Sequence, residues 1–194
     1  MKRFLLSLAC LAMLQASANA ANPVVVIETS MGNIKVELNE EKAPITVKNF
    51  LSYVDDKFYD GTIFHRVMRD FMIQGGGFTE TKEKDNKKAP IKNEAGNGLT
   101  NKRGAIAMAR TPDPNSATAQ FFINHKDNPS LEPGGVDQFG YAAFGQVIDG
   151  LDVVDKIAAV RTGVKTFTIR GRQEAMPNVP VTTVTIKSIK RADK

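Results

Sequence analysis

The sequence predicts a mainly β fold: a closed eight-stranded antiparallel β-barrel capped by two α-helices. Three observations carry this prediction. About eight short runs are rich in β-branched and aromatic residues and are bounded by Gly, Pro and Asn. Only two stretches carry the 3.6-residue apolar stripe of a helix. Strands and helices do not alternate, as a parallel doubly wound sheet would require. An antiparallel sheet that removes its edges by closing is the better account.

The first 20 residues stand apart from that domain. "MKRFLLSLACLAMLQASANA" opens with Lys2 and Arg3, continues with an apolar run from Phe4 to Leu14, and ends on Ala18-Asn19-Ala20. This is the pattern of a secretory signal peptide. The apolar run is about 11 residues long, whereas a membrane-spanning helix takes roughly 20. The predicted organisation is therefore a signal peptide over 1–20, cleaved after Ala20, and a single domain over 21–194. Cys10 is the only cysteine, so the mature chain has no disulfide, no thiol nucleophile and no thiolate metal site. Loss of Lys2 and Arg3 lowers the formal charge from +5 to +3. A balance that mild does not call for nucleic acid or an anionic membrane. Apolar residues make up 42% and charged residues 24%, which places the chain among ordinary globular proteins.

Along the domain, Val24–Thr29 and Asn33–Leu38 form a β-hairpin, with Met31-Gly32-Asn33 as its turn. In "APITVKNFLSYVDD", Val47, Phe50, Leu51 and Val54 make one helical face. Pro44 suits the first turn, where its missing N–H costs nothing. "DGTIFHRVM" and "FMIQGG" are strands with Arg69-Asp70 at the turn between them. "RGAIAMAR", "AQFFIN" and "YAAFGQV" are three more. "DGLDVVDKIAAV" is the second helix, with Asp149 as N-cap and Leu151, Val154 and Ala158 on one face. "VPVTTVTIKSIK" closes the chain as a β-branched strand.

The run Gly75-Gly76-Gly77 invites a phosphate-loop reading, which fails. No lysine follows at Walker spacing, and a polar loop rather than a helix comes next. A dinucleotide fingerprint would need a parallel βαβ unit. There is no G-x-S-x-G elbow. His65 and His125 are far apart and neither has a partner at metal-ligand spacing, so no metal and no cofactor are expected. What remains is an arginine within an apolar strand. Strand alternation puts Phe64, Arg66 and Met68 on one face and His65 and Val67 on the other. Met72 shares a face with Gln74, and Gln120 with Phe122, while Phe121 and Ile123 point to the core. Antiparallel pairing of the two strands would set Arg66 beside Gln74. A guanidinium against an apolar pocket can orient a carbonyl or an amide; on spacing alone, a surface salt bridge explains Arg66 equally well.

"FHRVMRDFMIQGGGFT", "AMARTPDPNSATAQFFIN" and "FGYAAFGQVIDGLDVVDKI" resemble the signature segments of the cyclophilins, which are peptidyl-prolyl cis–trans isomerases. The resemblance runs over most of Val24 to Ile189 and keeps the segment order. The exported, disulfide-free form is similar to the bacterial periplasmic branch. It implies an eight-stranded barrel with two helices and rotation about X-Pro peptide bonds without a cofactor. It also implies Arg66 as the catalytic residue. Phe71, Met72, Phe122 and Leu131 match walls of a proline pocket. Gln74 and Gln120 match groups that place the substrate backbone. Ala109 and Arg110 match the edge that pairs with the peptide, though many members have asparagine where Arg110 stands. Tyr141 falls where many eukaryotic members have histidine, and Ser130 near the place of their tryptophan, which implies weak cyclosporin binding. The partners implied are proline-containing peptides and unfolded exported proteins. Nucleic acid is not among them, nor is a membrane after signal cleavage, and the protein is expected to be a monomer. A holdase that binds proline segments, with isomerisation incidental, is the alternative. "RTGVKTFTIRGRQEAMPNVP", Arg161 to Pro180, is longer than the family pattern and has no assigned role.

Overall fold

The computed structural model describes residues 21–85 and 87–192; the expected signal peptide lies outside the described residues. Ten strands are seen among them: β1 (Val24–Thr29), β2 (Gly32–Leu38), β3 (Thr62–Met68), β4 (Met72–Gly75), β5 (Ala105–Met108), β6 (Phe121–Asn124), β7 (Ala143–Asp149), β8 (Thr162–Ile169), β9 (Arg172–Pro180) and β10 (Thr185–Arg191). Eight of them close into an antiparallel barrel in the order β1-β10-β3-β4-β6-β5-β7-β2, with β2 returning to β1. The other two, β8 and β9, form a separate two-stranded sheet. The barrel interior holds Val25, Ile27, Ile34, Val36, Phe64, Val67, Ile73, Phe121 and Ile123.

Helix α1 (Pro44–Asp55) buries Val47, Phe50, Leu51 and Val54, the predicted face, against that interior. Pro44 is in its first turn, and no side chain of its own caps it. Glu94 does so from a distant loop, accepting from the N–H groups of Ile45 (3.1 Å) and Thr46 (2.8 Å). A carboxylate suits a helix N-terminus, where unpaired N–H groups converge. Helix α2 (Leu151–Ala158) buries Val153, Val154, Ile157 and Ala158, with Leu151 partly buried beside them.

Several expectations change. Asp149 is not the cap of α2: it ends β7, paired with Lys35, and the cap position is Gly150. Gly150 has φ +83°, and a Cβ there would lie 2.3 Å from the Asn33 carbonyl oxygen, so backbone packing requires glycine. The β1–β2 turn is Ser30-Met31, one position earlier than expected, with Gly32 paired to Thr29. The predicted last strand is two pieces: Val179 and Pro180 end β9, a bend follows, and β10 starts at Thr185. The segment Arg161–Pro180 is the β8–β9 ribbon. Its length alone marked it as unusual, and its strands were missed because they pair with each other outside the barrel.

Candidate active site

The site begins with an irregularity in β3. Phe64 pairs with Gly75 and Arg66 with Gln74, so His65 is an extra residue in the ladder, a β-bulge. Strict alternation fails there. Phe64 and Val67 both enter the barrel core, while Arg66 and Met68 face outward. His65 is buried against Phe78, ring centroids 4.5 Å apart. The expected grouping of Phe64 with Arg66, and of His65 with Val67, is therefore corrected. Arg66 beside Gln74 is what the register shows.

The Arg66 guanidinium is half-buried, and its Nη1 donates to Gln74 Oε1 at 3.4 Å. Gln74 Nε2 in turn donates to Gln120 Oε1 at 3.0 Å. The two amides fix each other's orientation and turn an acceptor toward the guanidinium. Phe71 lies with its ring centroid 6.0 Å from Arg66 Cζ. No carboxylate pairs with Arg66 among the described residues, so the salt-bridge reading does not hold. Burial lowers its pKa from the ordinary arginine range and the nearby Tyr141 opposes this, but arginine stays charged regardless. An unpaired, partly desolvated cation facing a cavity is a group held ready for an electron-rich partner.

That cavity has a volume of about 260 Å³. Arg66, Phe71, Met72, Gln74, Ala109, Arg110, Phe122, Leu131 and Tyr141 all line it, so nine of the ten sequence-predicted residues meet in one place. The tenth, Gln120, acts through Gln74 and lines the adjoining groove. Met72, Phe122 and Leu131 form an apolar floor on a small cluster separate from the barrel core. Tyr141 stands edge-on to Phe122, centroids 5.9 Å apart, and its ring also faces the Arg110 guanidinium at 4.3 Å. The Arg110 side chain is engaged within its own loop. It donates to the Gly140 carbonyl and pairs with Asp137 at 2.5 Å. That hydrogen bond holds the Asp137 carboxyl below its usual range. Ser130 contributes no wall; its carbonyl accepts from the Val136 N–H at 2.7 Å.

Sequence reasoning missed two contributions. Val136 is exposed at the lip of the cavity. A lone valine in the Gly-rich stretch "PGGVDQFG" was the available signal. His125 and Asn128 pin the turn that carries Phe71: the His125 N–H (2.9 Å) and Asn128 Nδ2 (2.8 Å) both donate to the Phe71 carbonyl. Asn128 Nδ2 also donates to Asn124 Oδ1 at 2.7 Å. No local pattern marks residues that act on a carbonyl more than fifty positions away. Among the described residues, no three His, Cys, Asp or Glu side chains group as a metal site would need.

The glycine run serves this geometry. Gly76 has φ +81°, with the Phe121 and Tyr59 rings 2.9 Å from where its Cβ would be. A Cβ on Gly77 would come within 2.4 Å of the Gln120 side chain. Gly77 thus clears the space in which Gln120 reaches Gln74.

A family model described as cyclophilin-type peptidyl-prolyl cis–trans isomerase matches residues 24–190. A peptidyl-prolyl cis–trans isomerase of Acinetobacter baylyi is 55% identical over 179 residues, covering 91% of this chain and 92% of that protein. Peptidyl-prolyl cis–trans isomerase B of Escherichia coli is 54% identical over 142 residues, covering 72% of this chain and 87% of that protein. Among solved structures, the cyclophilin-type isomerase of Cryptosporidium parvum, crystallised in the presence of the dipeptide Ala-Pro, superposes with a TM-score of 0.70 at 26% identity. It covers 88% of this chain and 99% of that one.

Proposed function

The chain belongs to the cyclophilin-type peptidyl-prolyl cis–trans isomerases, and from that premise we propose that Arg66 is its catalytic group and that its substrates are unfolded exported proteins. The isomerase activity needs no covalent step. Rotation about a peptide bond faces a barrier of about 18–20 kcal/mol from amide resonance. For X-Pro bonds both isomers are populated, yet exchange takes tens to hundreds of seconds. A site that binds the twisted amide more tightly than either planar form lowers that barrier.

The residues divide the task as follows. Met72, Phe122 and Leu131, with Phe71 and Tyr141 at the sides, receive the proline ring. Gln74 and the main chain at Ala109–Arg110 hold the flanking carbonyls. As the bond twists, conjugation is lost and the proline nitrogen regains a lone pair. Arg66, aimed by Gln74, donates to that nitrogen or to the adjacent carbonyl oxygen, and this interaction is strongest when the bond is twisted. The apolar floor excludes water and strengthens it. A 10⁴-fold acceleration corresponds to roughly 5.5 kcal/mol, within reach of a few charge-assisted hydrogen bonds plus orientation.

The observation that carries this reading is the half-buried guanidinium with no carboxylate partner among the described residues, pointing into an apolar cavity. A pure holdase has no use for an unneutralised cation there. Arg66→Ala should cut kcat/KM on an X-Pro peptide at least tenfold in a protease-coupled assay, with an unchanged circular dichroism spectrum. Near-full activity in that variant would remove Arg66 from the mechanism. We further propose that the mature protein works in the periplasm as a monomer, released from its signal peptide after Ala20.

A further inference from the structure

The β8–β9 ribbon is docked onto the molecule rather than left free. Phe167, fully buried, packs on Phe78 with ring centroids 5.3 Å apart, and Ile63 and Val179 complete that cluster. The Glu83 N–H donates to the Thr168 carbonyl at 2.9 Å, and the Thr168 N–H to the Thr81 carbonyl at 3.0 Å. The loop that follows the glycine run and the end of β8 therefore hold each other in register. The ribbon turns at Arg170 and Gly171, with φ +49° and +79°, the left-handed pair of a tight hairpin turn. This geometry carries the exposed Arg170 to the rim of a groove of about 490 Å³.

That groove adjoins the proline pocket. Gln74, Ala109 and Arg110 line both, so a peptide seated on the pocket has the groove beside it. The far side is made by Glu83, Lys87 and Arg170. The other cations there are already neutralised: Lys87 pairs with Glu83 at 2.5 Å, and the buried Arg110 guanidinium pairs with Asp137. Among the described residues, no carboxylate pairs with Arg170. The groove thus presents one uncommitted positive charge beside the proline pocket.

We propose that Arg170 makes this groove a reader of acidic side chains, so that the enzyme favours substrates bearing Glu or Asp a few residues from the proline. The inference rests on the isomerase reading of the adjoining pocket. An exposed ion pair contributes little, so the expected preference is small: roughly two- to fivefold in kcat/KM for Glu over Gln at the matching position. Salt should erode it, because the pair is screened over a Debye length of about 10 Å at 0.1 M.

The test scans Glu, Gln and Lys through the positions on either side of an X-Pro bond, with wild type and Arg170→Glu. The wild type should prefer Glu over Gln at one position at low salt, and Arg170→Glu should prefer Lys there. An equal ratio in both proteins, or no position with a Glu preference, overturns the proposal. Fluorescence anisotropy of the same peptides on Arg66→Ala, with and without Arg170→Glu, reads the charge preference without turnover. Failure of the isomerase reading would appear as absent turnover in the wild type, while the preference in binding stands or falls separately. Equal thermal melting of the two Arg170 forms excludes a folding defect as the cause.

Discussion

His65 joins the chemistry of the site to the packing behind it. It is the extra residue of the β3 bulge; were the strand to alternate strictly through it, Arg66 would share the inward face of Phe64. The bulge places its imidazole, 1% exposed, under Phe78, with Nδ1 lacking a hydrogen-bond partner among the described residues. Burial pushes its pKa down to about 4, and the adjacent Arg66 charge acts in the same direction. The unfolded chain therefore takes up this proton near pH 6.5, before the folded one does. Stability is full above about pH 6.5 and falls as the pH drops toward 4, by roughly 3 kcal/mol in all. Urea unfolding at pH 7, 5.5 and 4.5 should show this fall, and His65→Phe should flatten it. Parallel pH profiles for the two proteins would sink the assignment. The neighbouring residues of the site were easier to find. The pairing of Gln74 with Met72 and of Gln120 with Phe122 follows from period-two alternation, and Arg66 from the resemblance of its motif. The bulge did not, because an inserted residue leaves no mark on composition.

Among the elements, the β8–β9 ribbon departs most from a plain barrel. Its burial is lopsided: Phe167 is fully enclosed, while Val164 on the same strand is 73% exposed. Phe167, with Val179 beside it, and the two hydrogen bonds at Thr168 anchor it to the rest of the molecule. Truncating a buried phenylalanine costs about 3–5 kcal/mol where the surroundings cannot collapse. A ribbon that shares no strand pairing with the barrel can detach instead, so the loss should be local. In Phe167→Ala, the amide of Thr168 should exchange with deuterium at least tenfold faster, while amides of β1 and β2 keep their protection. Equal acceleration in the barrel would show that the ribbon and the barrel unfold as one unit. Helix α1 shows the same dependence on distant parts. Its apolar face is local, but its N-terminus is completed by Glu94, which no capping pattern in its own sequence reveals.

At the scale of the whole molecule, closure of the barrel brings the N-terminal hairpin against the last strand, with Val25 opposite Arg191 and Ile27 opposite Ile189. Every barrel strand thereby has two neighbours, which removes the sheet edges that would otherwise recruit a second copy. Among the described residues, no helix is long and apolar enough to cross a membrane. The closed sheet leaves the proposed monomer without barrel edges to pair. The protein recovered from a periplasmic fraction should begin at Ala21 and sediment as a single chain of 174 residues. A retained leader would overturn the cleavage assignment, and a sedimenting dimer the monomer.

The sequence by itself determined the class of fold, the two helices, most barrel strands and nearly all of the residues that meet at the candidate pocket. Each of these rests on periodicity or on short motifs, which act between residues a few positions apart. Tertiary structure decided the rest: the bulge that turns Arg66 outward, Gly150 in place of Asp149 at α2, the Glu94 cap, the pinning of Phe71, and the docking of Arg161–Pro180 as a ribbon. Each of those depends on contacts between segments tens of residues apart. Such contacts exist only once the barrel has closed, and local pattern carries no record of them.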